Sequence, residues 1–259
     1  MTEPSATHRP RKSLGQHFLH DPGILAKIVT AIAPKPDDHM VEIGPGLGAL
    51  TRPLLGQLKH LHVVEFDRDL VARLRSEFDS GRLTVHECDA LKFDFGSLGQ
   101  DLRVVGNLPY NISSPLLFHL ADYAGQIRDM HFMLQKEVVD RMAAQPDTPD
   151  YGRLSVMLQA RFRVAKLFNV APGAFNPPPK VDSAVVRLAP LPPEAVAYTN
   201  AKAFSEVVAR AFGQRRKTLR NTLKGLVGAE QLEALGIDPG RRGETLSVAE
   251  FAEISQLLR

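Results

Sequence analysis

The chain has 259 residues, 44% hydrophobic and 24% charged, which is enough apolar material for one large domain or two. No apolar run approaches the roughly 18 residues of a membrane span, and the polar start at residues 1–12, with Pro4 and Pro10, leads into no apolar run, which argues against a secretory signal. A net charge of +3 is too mild to assign a partner, and the lone Cys88 can form neither an internal disulfide nor a thiolate metal site, so a cytoplasmic setting is expected.

In chain order, residues 24–32 carry Ile24, Leu25, Ile28, Val29 and Ile32 at helical spacing, and Asp21-Pro22 supplies the cap and first turn. Strands and helices then alternate. Strands are predicted at 40–43, 61–65, 83–87, 102–106 and 129–135, with helices at 49–58, 67–78, 114–122 and 136–144. This alternation implies βαβ units and a parallel sheet with strand ends around one crevice. A helix is predicted at 151–160, followed by an antiparallel pair at 162–170 and 181–188. The intervening Phe175-Asn176-Pro177-Pro178-Pro179 is too rich in proline for regular structure. Ala189-Pro190-Leu191-Pro192-Pro193 reads as a stiff connector and divides the chain into domains 1–188 and 189–259. Beyond it, Phe204, Val208 and Phe212, then Leu219, Leu223 and Val227, recur at four-residue spacing, and glycines split the run into short helices. The last helix starts from a Ser247 cap.

Two motifs carry chemistry. Glu42-Ile43-Gly44-Pro45-Gly46-Leu47-Gly48-Ala49 is a strand, a glycine turn and a helix, and Glu65 lies 21 residues after Gly44. That pattern serves a dinucleotide or S-adenosylmethionine equally, since both carry a ribose whose hydroxyls donate to a carboxylate. Asp89, after the third strand, suits an adenine amino group or a turn cap. The second motif, Asn107-Leu108-Pro109-Tyr110, follows the fourth strand. An amide acceptor, a stiffened backbone and an aromatic face suit the gripping of a planar ring with an exocyclic amine, although Asn and Pro also favour plain turns. A dehydrogenase has no need of it.

Leu14-Gly15-Gln16-His17-Phe18-Leu19, the glycine turn, Glu65, Asp89, residues 107–110, residues 175–183 and residues 211–221 occur in this order. Together they resemble the ribosomal RNA adenine dimethyltransferases, most closely the small-subunit branch linked to kasugamycin sensitivity, over about residues 11–258. The resemblance implies a Rossmann-like α/β methyltransferase sheet with a smaller all-α C-terminal domain. It implies S-adenosylmethionine as donor, held by His17, Leu19, Gly44, Gly46, Glu65, Asp89 and Asn107. His17 departs from the Asn common in relatives, and its alternative reading is a local turn or capping residue. Asn107 and the Leu108 carbonyl would accept from the target amine, Pro109 would hold the register, and Tyr110 and Phe175 would contact the base. The implied product is N6,N6-dimethyladenosine at two adjacent adenosines near the 3′ end of 16S rRNA, within an immature 30S subunit. Rival readings are a large-subunit methyltransferase of macrolide-resistance type and a non-catalytic assembly factor.

Three basic clusters favour a phosphate backbone: Arg9, Arg11 and Lys12; Arg161, Arg163 and Lys166; and residues 210–224. In the last, Arg215, Arg216, Lys217, Arg220 and Lys224 are the expected RNA contacts, the alternative being a solvated face. The histidines show no metal-ligand spacing, so no metal is expected, and a monomer is the default.

Overall fold

A computed structural model describes residues 17–196, 198–214 and 216–258. Within it the expected α/β alternation is present. The elements are β1 (Phe18–Leu19), α1 (Pro22–Ile32), β2 (His39–Ile43), α2 (Thr51–Leu55), β3 (Leu61–Glu65), α3 (Arg68–Glu77), β4 (Leu83–Glu87), β5 (Leu102–Asn107), α4 (Ser113–Ala121), β6 (Ile127–Gln135), α5 (Lys136–Ala143), α6 (Arg153–Gln159) and β7 (Phe162–Val170). They continue with β8 (Phe175–Asn176), β9 (Ser183–Pro190), α7 (Ala201–Gly213), α8 (Leu219–Thr222), α9 (Ala229–Ala234) and α10 (Val248–Ser255). Caps follow the sequence: the Asp21 side chain accepts from the Ile24 N–H, and Ser247 caps α10 in a reciprocal box with Glu250. Helix α2 is shorter than its apolar pattern, because residues before Thr51 form turns and Gly56 closes it.

The main sheet runs β4-β3-β2-β5-β6-β9-β7. Strands β4, β3, β2, β5 and β6 are parallel, while β9 lies antiparallel between β6 and β7. The late pair is thus found, but β9 also joins it to the sheet. Alternate strand residues divide between two cores, as period-2 geometry requires. Val41, Val104 and Phe132 pack with α4 and α5, whereas Met40, Val105 and Met133 pack with α1 and α2. A third core gathers α7–α10 around Phe204, Leu219, Leu223 and Phe251, and takes in Tyr151, Val156 and Ala160 from around α6.

One expectation is corrected. Residues 175–179 are not wholly irregular: Phe175 and Asn176 form β8, which pairs antiparallel with β1 as a two-residue ladder. The Asn176-Pro177 bond is cis. Prolines bar a longer ladder, yet both residues of β8 precede the first proline and keep their N–H groups.

Candidate active site

The chain runs outward from β2 through β3 to β4, then crosses back to β5 on the other side of β2, so the β2–β5 gap is the switch point of the sheet. At that gap the two backbones approach closely. A Cβ on Gly106 would collide with the Ile43 carbonyl oxygen, so only glycine fits. Gly44 and Gly46 turn the chain away from β2 at φ 65° and 56°, in the left-handed region that costs other residues energy. A cavity of about 260 Å³ opens there, lined by the glycine turn, residues 107–112 and the ends of β3 and β4.

Glu65 ends β3 at the cavity and is 8% exposed. Its Oε1 accepts from the Phe66 and Asp67 N–H groups, each at 2.9 Å, and Oε2 accepts from the Gly46 N–H at 3.3 Å. Burial nevertheless raises its pKa, outweighing those three bonds. Beside it Phe66 is 62% exposed and lines the cavity, a flat apolar face at the mouth. Asp89 lines the cavity and accepts the Leu91 N–H at 2.9 Å, so its capping role is realised and one oxygen remains over.

The tetrapeptide leaves β5 directly. The Leu108 N–H donates to Met133 of β6 at 3.1 Å, and its side chain is buried. Among the described residues no N–H reaches the Leu108 carbonyl. Asn107 Nδ2 donates to the His17 carbonyl at 2.9 Å, leaving Oδ1 as the acceptor of that amide. Tyr110 and Ser183 share a hydroxyl hydrogen bond of 2.7 Å, and burial raises the Tyr110 pKa. Pro109 also lines the cavity.

His17 does two things. Its ring stacks on Tyr110 with centroids 5.5 Å apart and 27° between planes, and its Nδ1 lies 2.8 Å from the Pro177 carbonyl. Phe18 lies across the glycine turn, 3.0 Å from where a Gly46 Cβ would stand. Leu19 is buried and lines the cavity, so β1 forms part of its wall, with β8 paired to it outside the lining. Phe175, in contrast, is 2% exposed and packed with Leu19, Val170 and Val185; its ring is a core residue and does not line the cavity.

Sequence reasoning missed three residues here. Gly106 carried no signal apart from an apolar strand. Ser183 stood only as the end of a family segment. Glu42 was read as a strand residue, yet it is buried at the cavity, where it accepts the Thr51 hydroxyl at 2.7 Å. Burial, aided by the neighbouring charge of Glu65, pushes its pKa up to about 7 against the pull of Thr51.

Arg216, Lys217, Arg220 and Lys224 are all exposed, in and around α8, while Arg215 lies outside the described residues. Arg9, Arg11, Lys12 and residues 14–16 also lie outside them. The middle cluster is partly structural. Arg161 donates to the Tyr198 hydroxyl and the Ala121 carbonyl, and Lys166 pairs with Asp140. Among the described residues no group of three or more His, Cys, Asp or Glu is placed to hold a metal ion, and no helix is long and apolar enough to cross a membrane.

Comparison with known proteins agrees with this geometry. The ribosomal RNA adenine dimethylase family matches residues 7–259. The chain is 61% identical to a ribosomal RNA small subunit methyltransferase A of Aromatoleum aromaticum, covering 97% of this chain and 95% of that one. It is 62% identical to the protein of the same name from Thiobacillus denitrificans, covering 97% and 98%. Among solved structures, a dimethyladenosine transferase from Plasmodium falciparum superposes with a TM-score of 0.79 at 31% identity, over 92% of this chain and 96% of that one. The 23S rRNA methyltransferase ErmE superposes at 0.70 with 25% identity, over 93% and 99%.

Proposed function

Since the chain belongs to the ribosomal RNA adenine dimethylase family, we propose that it dimethylates the N6 amines of two adjacent adenosines in a loop near the 3′ end of small-subunit rRNA, within an immature 30S subunit. It is an S-adenosylmethionine-dependent rRNA methyltransferase. The observation that carries the site assignment is the orientation of Asn107. With Nδ2 donating to the His17 carbonyl, the side-chain amide of this cavity-lining residue keeps Oδ1 as an acceptor.

The cavity suits the donor. Glu65 offers a carboxylate to ribose hydroxyls, Asp89 an acceptor to an adenine amine, and Phe66 an aromatic face. His17, Leu19, Gly44, Gly46 and Asn107 complete the proposed cofactor set. When bound, S-adenosylmethionine supplies an electrophilic methyl group on a positive sulfur.

The protein's part is positioning. The exocyclic amine of adenine is a weak nucleophile because its lone pair is delocalised into the ring. Asn107 Oδ1 and the Leu108 carbonyl accept hydrogen bonds from its two N–H groups off the ring plane, which favours the pyramidal nitrogen of the transition state over the planar ground state. Pro109 keeps that carbonyl in register, and Tyr110, aligned by Ser183, stacks on the extruded base, a contact typically worth about 1–3 kcal/mol. Phe175 supports this wall from behind, by packing on Leu19. Methylation makes the nitrogen positive, its proton becomes acidic, and water takes it.

Residues 1–188 form the methyltransferase domain and 189–259 a helical domain whose Arg215, Arg216, Lys217, Arg220 and Lys224 meet the rRNA. The free enzyme is a monomer of the cytoplasm. High identity to small-subunit enzymes over nearly the full chain favours this branch over the large-subunit one. Incubating the protein and labelled donor with immature small subunits, then mapping modified nucleosides, tests the assignment. Two adjacent dimethyladenosines near the 3′ end are expected; no label in the small subunits, with label in large-subunit RNA offered in a parallel incubation, would overturn it.

A further inference from the structure

The family segment 175–183 continues past β8 into residues 177–182, none of which lines the cavity. Both ends of this stretch are fastened to groups that touch one ring. At its start the Pro177 carbonyl lies 2.8 Å from His17 Nδ1, and the His17 ring stacks on Tyr110. At its end the Asp182 carbonyl accepts the Lys136 N–H at 2.9 Å, and the next residue, Ser183, shares a hydroxyl hydrogen bond of 2.7 Å with Tyr110. Between these ends Pro179 is buried. Three consecutive prolines fix φ at 177–179, and Pro177 and Pro178, each standing before a proline, are held extended. The stretch is therefore stiff, and docking it costs little conformational freedom.

Pro177, Pro178, Lys180, Val181 and Asp182 are exposed, Val181 at 45%. One exposed valine on a surface is ordinary. This one stands two residues, at most about 7 Å of chain, from Ser183, and Ser183 aligns the ring assigned to the target base. Lys136 and Lys166 share Asp140, whereas Lys180 enters no ion pair among the described residues. The acid of the stretch, Asp182, lies within electrostatic reach of Lys136. A stiff apolar tip with a neighbouring cation thus flanks the base slot from outside the cavity.

An extruded base leaves a gap between neighbours that have lost their stacking partner. The walls of that gap are flat and apolar, and proteins that unstack nucleic acids fill such gaps with aliphatic or proline side chains. Valine suits the task, since its one side-chain torsion is already restricted. We propose that residues 177–181 are a wedge: Val181, backed by Pro178, enters the space vacated by the target adenosine, and Lys180 pairs with an adjoining phosphate. The inference rests on the reading of Asn107 and Tyr110 as the target-base site. The wedge holds the base out of its loop, so it governs entry to the slot and leaves the methyl transfer itself to Asn107 and Leu108.

Immature small subunits carrying 2-aminopurine at one target position, a base whose fluorescence rises on unstacking, report extrusion directly. The full-length wild type should raise that signal. Val181→Ala should lower the ratio of extruded to stacked base by about tenfold, through the loss of two methyl groups from an apolar contact. On unsubstituted subunits its single-turnover methylation rate should fall by a similar factor, and Val181→Ile should restore both readings. Affinity for S-adenosylmethionine should be the same in all three proteins. Lys180→Gln should flatten the slope of log K against log salt by roughly 0.7–0.9; an unchanged slope would overturn the phosphate contact. A full fluorescence rise in Val181→Ala overturns the wedge. If the rate falls all the same, Val181 meets a ribosomal protein and not the vacated stack; if donor affinity falls, it belongs to the cofactor pocket. A wild type that neither extrudes nor methylates the target would instead overturn the target-base reading beneath the proposal.

Discussion

Asn107 is held by its nitrogen to a backbone carbonyl of His17, not to a side chain. Two substitutions therefore separate the roles of neighbouring residues. Asn107→Ala removes one hydrogen bond, worth about 1 kcal/mol of stability, and one of two acceptors at the reacting nitrogen. Single-turnover methylation should fall by about 10²-fold or more, with a cooperative melt retained; near-normal turnover would sink the acceptor role. His17→Ala keeps the carbonyl that holds Asn107 but loses the stack on Tyr110. Donor affinity should fall, as the proposed cofactor set requires, and the KM for RNA should rise through the lost stack; unchanged donor affinity would take His17 out of the cofactor set. Gly106 shows a different kind of role, since it lines the cavity without a side chain and, lacking a Cβ, lets β2 and β5 close. Gly106→Ala forces a backbone shift that should cost about 1–3 kcal/mol in denaturant unfolding and displace Asn107, the next residue. Glycine identity was visible in the sequence; the carbonyl that requires it belongs to another strand and was not.

At the scale of elements, parallel strands and their helices were legible because burial of alternate residues writes a period into the chain. Glu65, Asp89 and residues 107–110 were legible too, since each closes a strand and strand ends converge. The β1–β8 ladder was not, because two-residue strands have no period and a proline run hides one of them. Nor was the link from Tyr110 to Ser183, which spans 73 residues and depends on β9 slotting beside β6. The exposed basic turn and short helix around α8 were read from composition alone, so their role is a matter for titration. Neutralising Arg216 and Arg220 to Gln should lower RNA affinity and flatten the slope of log K against log salt by roughly 0.7–0.9 per lost phosphate contact. An unchanged slope would assign these residues to a solvated face.

For the molecule as a whole, two sets of buried groups pull stability in opposite directions over one pH window. His62 is depressed to about 4, first by burial and then by His60, His86 and His39, which share its face of β2–β4 with no carboxylate between them. The unfolded chain takes up that proton near its ordinary 6.5, so acidification through this range favours unfolding. His86 is lowered by burial in the same sense. Glu42 is raised from 4.5 to about 7, so the folded chain binds that proton first and its contribution to stability falls as pH rises through 7. Urea unfolding between pH 5 and 8 should show the two apart. Relative to wild type, His62→Gln should gain stability at the acid end, and Glu42→Gln should gain it at the alkaline end. The same sign from both would refute this partition. None of these shifts was readable from the chain, since each arises from neighbours that the sheet brings together.

The short ladder between Phe18–Leu19 and Phe175–Asn176 also has a consequence in time. The strand β1, which walls the pocket, is made well before β8, the strand that pairs with it. Strands β2 to β6 can pair as they emerge during translation. The opening segment, however, must wait unpartnered until β8 has been made, and β9 must then insert beside β6. A nascent chain that ends before β8 has the glycine turn but not its cover. The pairing that fixes β1 against the glycine turn is thus postponed until β8 has been made.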